Sequence, residues 1–444
     1  MKRLAQSLLL LSVSASVVAE PIFHPAGENL GEGPIANYET VNGYTNNPAT
    51  GASGFDVNGG GFGFGLAPSV GVGYEFGPID GMAAQIDDLS KQLNDFSNNP
   101  TPTLANTIKD KFSSFLIEAD KKGYLQAHVG VNPIAPIVWN SKDWLGASFV
   151  LNLNASAEVQ ANILTDRTNP IVYNPLATDP TKALQTNTAI YLKAAAVGES
   201  SLGFSRPVYS NDNGTLSAGV RGKFYMVDLR KKAVSVAQTN DINSVIKDEA
   251  KVKVAGQTGY GVDLGLTWAS KHYRLGGTVR NINAPSFKYN ELGQDCASKT
   301  GSAQDSCYIE ESFSNRIDMK EKWVMDPQVN LQAALYNETR RWFLAATADT
   351  SAVNDPVGNQ YQWVTASTGY TGRWLIPIGF RIGYRKNLAG TQLSAATAGL
   401  TLLKILHVDV AYGLETVKYQ DSSTSTVQQV PRMAQANVGI DFMF

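Results

Sequence analysis

The chain has 444 residues, a formal net charge of −2, and 40 glycines and 18 tyrosines against only two cysteines. Near-neutral charge excludes a nucleic-acid partner held by broad electrostatics. The length would ordinarily mean two or three soluble domains, yet no linker-like break in composition divides the chain.

At the N-terminus, Lys2 and Arg3 precede an apolar stretch that ends in Val17 and Ala19, small residues at the −3 and −1 positions of a cleavage site. Residues 1–19 therefore read as a secretory signal peptide, with the mature chain starting at Glu20. Ser12, Ser14 and Ser16 interrupt the run, which is short for a membrane anchor, and no cysteine follows to carry a lipid. Nothing downstream holds ~18 apolar residues in a row, so no transmembrane helix is expected.

Residues 20–65 are rich in Gly, Asn and Pro without periodicity and are expected to fold back as a plug. "GGGFGFG" at 59–65 lacks the Lys-Ser/Thr ending of a phosphate loop and precedes a strand; its glycines suit close approach of the plug to a wall. In the region 79–120, Ile79, Met82, Ile86, Leu89, Leu93 and Phe96, then Leu104, Ile108, Phe112, Phe115 and Ala119, recur at three- and four-residue spacing. This predicts a helix pair, read as a cap on its own apolar stripes rather than a substrate groove. A weaker helical pattern covers 239–252.

Strict alternation dominates the rest. In "WLIPIGFRIGYR", Trp374, Ile376, Ile378, Phe380, Ile382 and Tyr384 share one face, with Arg381 and Arg385 on the other. Tyr260 to Trp268 and Leu406 to Leu414 repeat the pattern, with Asp263, and with His407 and Asp409, on the polar faces. Strands are predicted over 66–76, 124–132, 145–158, 187–206, 215–228, 257–268, 272–281, 324–336, 341–350, 360–371, 374–385, 391–402, 405–416 and 431–444. A soluble sandwich also alternates. Here glycines and charges line the polar faces strand after strand, aromatics bracket the apolar ones, and ten tilted residues rise about 25 Å, the height of a lipid-facing band. The predicted fold class is all-β: a transmembrane antiparallel β-barrel of about 14 strands, residues 66–444, with an N-terminal plug and an extracellular helical insert. Short and long links alternate, and the even strand count places both termini in the periplasm of a Gram-negative outer membrane.

The expected polar lumen holds Arg221, Lys223, Arg274, Arg280, Arg381 and Arg385 against Glu158, Asp263, Asp409 and Asp441, with His272 and His407 near the periplasmic ends. Cys296 and Cys307, in "CASKTGSAQDSC", read as a disulfide in the fourth outer loop, which is expected to have little core of its own. No histidine lies nearby, so no metal site is expected there, and no cofactor. Of the four histidines, His24, His128, His272 and His407, none has the spacing of a catalytic pair, and no enzymatic activity is expected.

The last eight residues, "NVGIDFMF", alternate to the final position. Asn437, Gly439, Phe442 and Phe444 fit the resemblance to the assembly signal of bacterial outer-membrane barrels, which implies recognition by the barrel-assembly machinery. The strand count, the N-terminal segment and "NNPATG" make the chain similar to the long-chain fatty-acid transporter (FadL-type) superfamily, whose hatch carries the motif matched here by Asn47, Pro48 and Ala49. Thr50, Gly51 and Ala52 depart from that pattern. "AAAVGESSLGFSRPV" and "VRNINAPSF" resemble more closely a branch of conjugal-transfer TraF-like outer-membrane proteins. The resemblance implies passive uptake or binding of a small, mostly hydrophobic compound. The alternative is a conjugation-related or surface structural barrel whose outer loops bind a partner. An apolar path from the helix pair to the plug would favour the first, and a lumen filled by paired charges the second.

Overall fold

The structure, a computed structural model, describes residues 29–34, 43–53, 61–65, 69–133, 136–141, 146–238, 256–372, 378–420 and 427–443. The expected signal peptide and the weak helix at 239–252 lie outside the described residues. Sixteen strands form one antiparallel sheet: β1 (Gly61–Gly65), β2 (Ser69–Phe76), β3 (Tyr124–Asn132), β4 (Ile137–Ser141), β5 (Ala147–Leu164), β6 (Ala189–Asn211), β7 (Gly214–Ser235), β8 (Gln257–Ala269), β9 (Tyr273–Arg280), β10 (Gln328–Tyr336), β11 (Trp342–Asp349), β12 (Trp363–Tyr370), β13 (Ile378–Asn387), β14 (Ser394–Leu402), β15 (Leu406–Gly413) and β16 (Met433–Met443). Fourteen of them close a barrel, with β2 pairing β16. Closure leaves no edge in the wall, the condition for crossing lipid with strands.

The other two strands differ from the sequence expectation. Gly61–Gly65, placed in the plug above, is a wall strand: β1 pairs β16 over Asp441–Met443, while β4, between the strands predicted at 124–132 and 145–158, bridges β1 to β5. β1 and β4 thus extend the β2 and β3 positions at the tight-turn end, where β2 and β3 stop short.

The outward face carries the exposed apolar residues that a lipid band requires: Val72, Leu151, Leu202, Met226, Leu264, Leu331, Leu344 and Ile382 all lie in wall strands. An apolar surface of this extent has no place in water. An aromatic belt marks the tight-turn end, with Trp342, Tyr370 and Phe380 mutually in contact and Phe64 packed 5.8 Å from Phe442. Tyr74, Phe76 and Tyr419 form a second group at the opposite rim.

At that rim β5, β6 and β7 keep rising. β6 has 23 residues, more than twice the ~10 needed to span a membrane. The segment 187–206, kept whole in the sequence reading, is indeed one strand. Above the rim its outward residues Ile190 and Leu192 pack with Ala161 and Ile163 against two helices, α1 (Met82–Asn98) and α2 (Pro102–Lys122). Thr101 caps α2 by accepting from Leu104 N, and Pro102 occupies its first turn. Burial of Ile86, Leu89, Ile108 and Leu116 stabilises this layer by about 1.5–3 kcal/mol each. The helix pair therefore caps the rising sheet as well as its own stripes.

The inward face of the same sheet is covered by the cysteine loop. Tyr191, Leu164, Ala189 and Ala233 pack with Leu292, Phe313 and Ile317. The expectation of a loop with little core is corrected, because it also holds α3 (Gly301–Ser312) and shields a sheet edge. Among the described residues β8 begins pairing at Val227, and the upper part of β7 meets the cysteine loop on that side. Asn290 Oδ1 accepts from Lys231 N at 2.8 Å, and Glu310 Oε1 accepts from Ala233 N at 3.3 Å. Side chains thereby satisfy an edge that would otherwise invite another strand. Cys296 and Cys307 are disulfide-bonded with Cα atoms 5.4 Å apart.

Candidate functional site

The lumen is blocked from the tight-turn end by the hatch, residues 29–34 and 43–53. Its anchor is Asn47, fully buried. Asn47 Nδ2 donates to Leu266 O at 3.1 Å and Gly277 O at 3.2 Å, while its Oδ1 accepts from Ala49 N at 2.9 Å. Pro48 and Ala49 follow in a turn closed by Thr50 N donating to Asn47 O. The wall is glycine-lined there for a steric reason: a Cβ on Gly265 would overlap Asn47 Oδ1, and one on Gly219 would overlap Pro48 O. The sequence reading had credited close approach to glycines in 59–65. The structure places this close approach at glycines of the wall.

A second contact holds the helix Asn29–Glu32. Arg381 donates from Nε to Asp409 Oδ1 at 2.7 Å and pairs its Nη2 with the other carboxylate oxygen, so the charges meet bidentately. Nη1 reaches Thr401 Oγ1, which shares a hydrogen bond with His407 Nδ1 at 3.1 Å. Gly31 lies against this pair with no room for a Cβ, and Thr397 and Ser367 hydroxyls donate to Gly31 O and Glu32 O. Arg381, His407 and Asp409 are thus brought together under the hatch.

Lys223 Nζ lies 2.9 Å from Asp263 Oδ2, with Arg221 Nη1 3.8 Å from the same atom. Asp263 Oδ1 accepts from Asn281 N. Arg280 donates to Gln328, and Arg274 is buried on the lumen side nearer the tight turns. Arg385 stacks on Trp363, 3.8 Å from its ring centre, and donates to Gln435 Oε1 at 3.2 Å. Gln435 Nε2 then lies 3.0 Å from His128 Nε2. Since Gln435 offers its amide nitrogen there, His128 accepts at Nε2 and is a neutral imidazole. Asn437 is buried in the lumen, and Gly439 pairs with His407. Asp441 pairs Gly65 through its backbone. Phe444 lies outside the described residues. His272, expected on the lumen face, is exposed in the turn between β8 and β9.

Across the opposite mouth folds a lid, residues 350–362, where the sequence predicts a link at 351–359 between strands 341–350 and 360–371. Its Asp355 Oδ1 accepts from the backbone N–H groups of 357, 358 and 359, and its Oδ2 accepts from Gln126 Nε2 at 2.9 Å. Tyr361 OH meets Gln126 Oε1 at 3.0 Å and Glu75 Oε1 at 3.2 Å. On its other side Trp323 Nε1 donates to Asn354 O, while Val357 packs with Phe287, Tyr289 and Trp323. Burial pushes the Asp355 carboxyl up to about 6, against the pull of its hydrogen-bond donors. "NDPVGN" at 354–359 carried a turn signal in its Asp, Pro and Gly, but nothing that says a turn will dip into a lumen.

Between hatch and lid lies a chamber of about 190 Å³. Its walls include Glu75, Gln126, His128, Glu158, Arg221, Arg280, Asp349 and Arg385. A second cavity of about 260 Å³ lies at the rim among Tyr74, Phe76, Met82, Leu125, Val417 and Tyr419, and Gln126 borders both.

An apolar outer band, an interior of hydrogen-bonded charge and a chamber between two inward-folded segments define an outer-membrane β-barrel with a partly filled lumen. The chain matches the family described as F plasmid transfer operon, TraF, protein over residues 45–349, and it belongs to that family. No curated protein matches it. Among solved structures it is similar to a mutant of the TodX monoaromatic hydrocarbon channel (13% identity, 95% of this chain and 98% of that one, TM-score 0.46). The Pseudomonas putida toluene transporter TodX (14%, 95% and 98%, 0.43) and a Pseudomonas aeruginosa FadL homologue (12%, 96% and 99%, 0.41) are comparable. Similarities at this level transfer neither substrate nor mechanism.

Proposed function

We propose that the protein is a hatch-closed barrel that binds and passes a small compound with a largely apolar body, oriented with the helix pair outside the cell and both termini periplasmic. The observation that carries this reading is the chamber between hatch and lid. Both barriers are chain segments distinct from the wall strands, so a movement of either leaves the strand ladder intact. In this reading Asn47, Pro48 and Ala49 tether the hatch, and the rim cavity beside Gln126 offers an apolar approach. Surrounding lipid and the barrel-assembly machinery, reading the C-terminal strand, are the partners proposed with it.

The structural reading has its own support in the ion pairs of the lumen, Arg381 with Asp409 and Lys223 with Asp263. Influx of tritiated naphthalene into intact cells separates the two. Cells bearing the protein are expected to take it up several-fold faster than cells without it. Equal rates would leave the structural barrel as the better reading.

A further inference from the structure

The chamber is not evenly polar. Five carboxylates, Glu75, Glu158, Glu199, Asp349 and Asp355, line it against three guanidiniums, Arg221, Arg280 and Arg385, and His128 is neutral by its hydrogen bond. The guanidiniums are already engaged: Arg221 lies beside Asp263, Arg280 donates to Gln328, and Arg385 is spread over Trp363 and turned toward Gln435. Glu199 has Lys223 at 4.0 Å, and Glu75 and the lid's Asp355 are bridged by Tyr361 and Gln126, with Arg385 on the far side of Trp363.

A second observation points to a ligand. Glu75 is 1% exposed, and its Oε2 has no hydrogen-bond partner among the described residues. The buried acceptors Asn437 Oδ1 and Asn132 Oδ1, also in the chamber wall, are in the same condition. Two buried donor atoms, Arg221 Nη2 and Arg385 Nε, are unpaired as well, but Arg221 already has Asp263 beside its Nη1, and Arg385 donates from Nη1 to Gln435 and lies over Trp363. A buried carboxylate oxygen left unpaired costs on the order of 1–3 kcal/mol or more. A group that brings both positive charge and N–H donors relieves that cost. An ammonium has three donors and no acceptor, so it fits Glu75 and gains nothing at the guanidiniums. The stacked rings of Tyr361 and Trp363, 5.7 Å apart, supply a flat apolar wall beside it.

Resting on the reading of the chamber as a ligand site, we propose that its occupant is an amine: a small compound with an aromatic or alkyl body and one protonated amino group, the amino group seated at Glu75 and the body against Tyr361 and Trp363. The test uses full-length folded protein in detergent and equilibrium dialysis with phenethylamine, 3-phenylpropionate and 2-phenylethanol, which differ mainly in the head group. Phenethylamine is expected to bind at least tenfold tighter than the other two. Glu75→Gln should remove most of that preference while the barrel keeps its heat-modifiable migration. Should Glu75→Gln fail to fold, Asp355→Asn, which lowers the charge from the lid, should weaken amine binding and leave alcohol binding unchanged. Equal or tighter binding of the carboxylate, or an amine preference untouched by these substitutions, would overturn the assignment. So would the absence of binding by all three, and naphthalene influx would then still decide the uptake reading separately.

Discussion

Two stretches of the same strands obey opposite rules. Within the lipid band, β6 presents Leu202 outward at 58% exposure and Glu199 and Ser201 inward, buried. Ten residues earlier, above the rim, Ile190 and Leu192 point outward and Tyr191 inward, all buried. The backbone ladder to β5 and β7 is continuous through both. What changes is the solvent on each face: lipid outside and a polar lumen inside below, helices outside and the cysteine loop inside above. Strand pairing sets the geometry, and the medium on each face sets which side chains are tolerated.

The lower region is held together by charge, and the largest effect is expected there. Asp409→Ala leaves Arg381 buried without its partner beneath the hatch helix, at a cost of about 3–5 kcal/mol. A fall in the denaturant midpoint together with loss of protection of 29–34 from proteolysis would show it. An unchanged midpoint would mean that the lumen is wet enough to solvate the cation.

The upper region is held by packing, and one strand allows a matched comparison. Leu192→Ala opens a cavity in a dry core and should cost about 2–5 kcal/mol. Leu202→Ala, on the same outward face, meets mobile lipid that closes over the gap, and should cost a small fraction of that. Equal losses would erase the distinction between the two regions.

That distinction also governs what the sequence disclosed. The lower strands alternate because their two faces meet different media, so Arg221, Lys223, Asp263, Arg381 and Asp409 could be assigned inward from parity alone. "AIYLKAAAV" does not alternate, because both its faces are buried, and the length of 187–206, open in sequence to a hairpin around Gly198, reflects this continuation above the rim. The pairing of Arg381 with Asp409 was not legible. Those two share no element, and only register across β13, β14 and β15 brings them together. The lid was missed for a similar reason: Asp355 and Gln126 are 229 positions apart, and no local pattern encodes a loop that turns inward. β1 was hidden by its glycines, which weaken any strand signal.

The disulfide should act on the upper region only. Replacing Cys296 and Cys307 by serine frees a loop of about a dozen residues, worth about 3 kcal/mol in the chain-entropy account. Limited proteolysis should cut between 296 and 312 in the variant, with the lower barrel resistant. If barrel unfolding shifts as much as loop proteolysis, the two regions are one cooperative unit.

The smallest effect is expected at the lid, where upper and lower regions meet. Burial raises the Asp355 carboxyl above its unfolded value of roughly 3.9 to about 6. The protonated form is therefore favoured when the lid is docked. Docking is strongest below about 4 and weakens as pH rises through 6. Hydrogen exchange of 353–361 should quicken over that window, and Asp355→Asn should flatten the dependence. Exchange that slows with rising pH, after correction for its intrinsic rate, would reverse the sign.

Closure of the lumen by the hatch is tested most directly in planar bilayers. The full-length chain should stay nearly non-conducting, and a chain lacking residues 26–60 should give channels that open whenever the remaining lid moves, while keeping its heat-modifiable migration. Equal conductance of the two folded proteins would contradict closure by this segment, and with it the gated barrel proposed above.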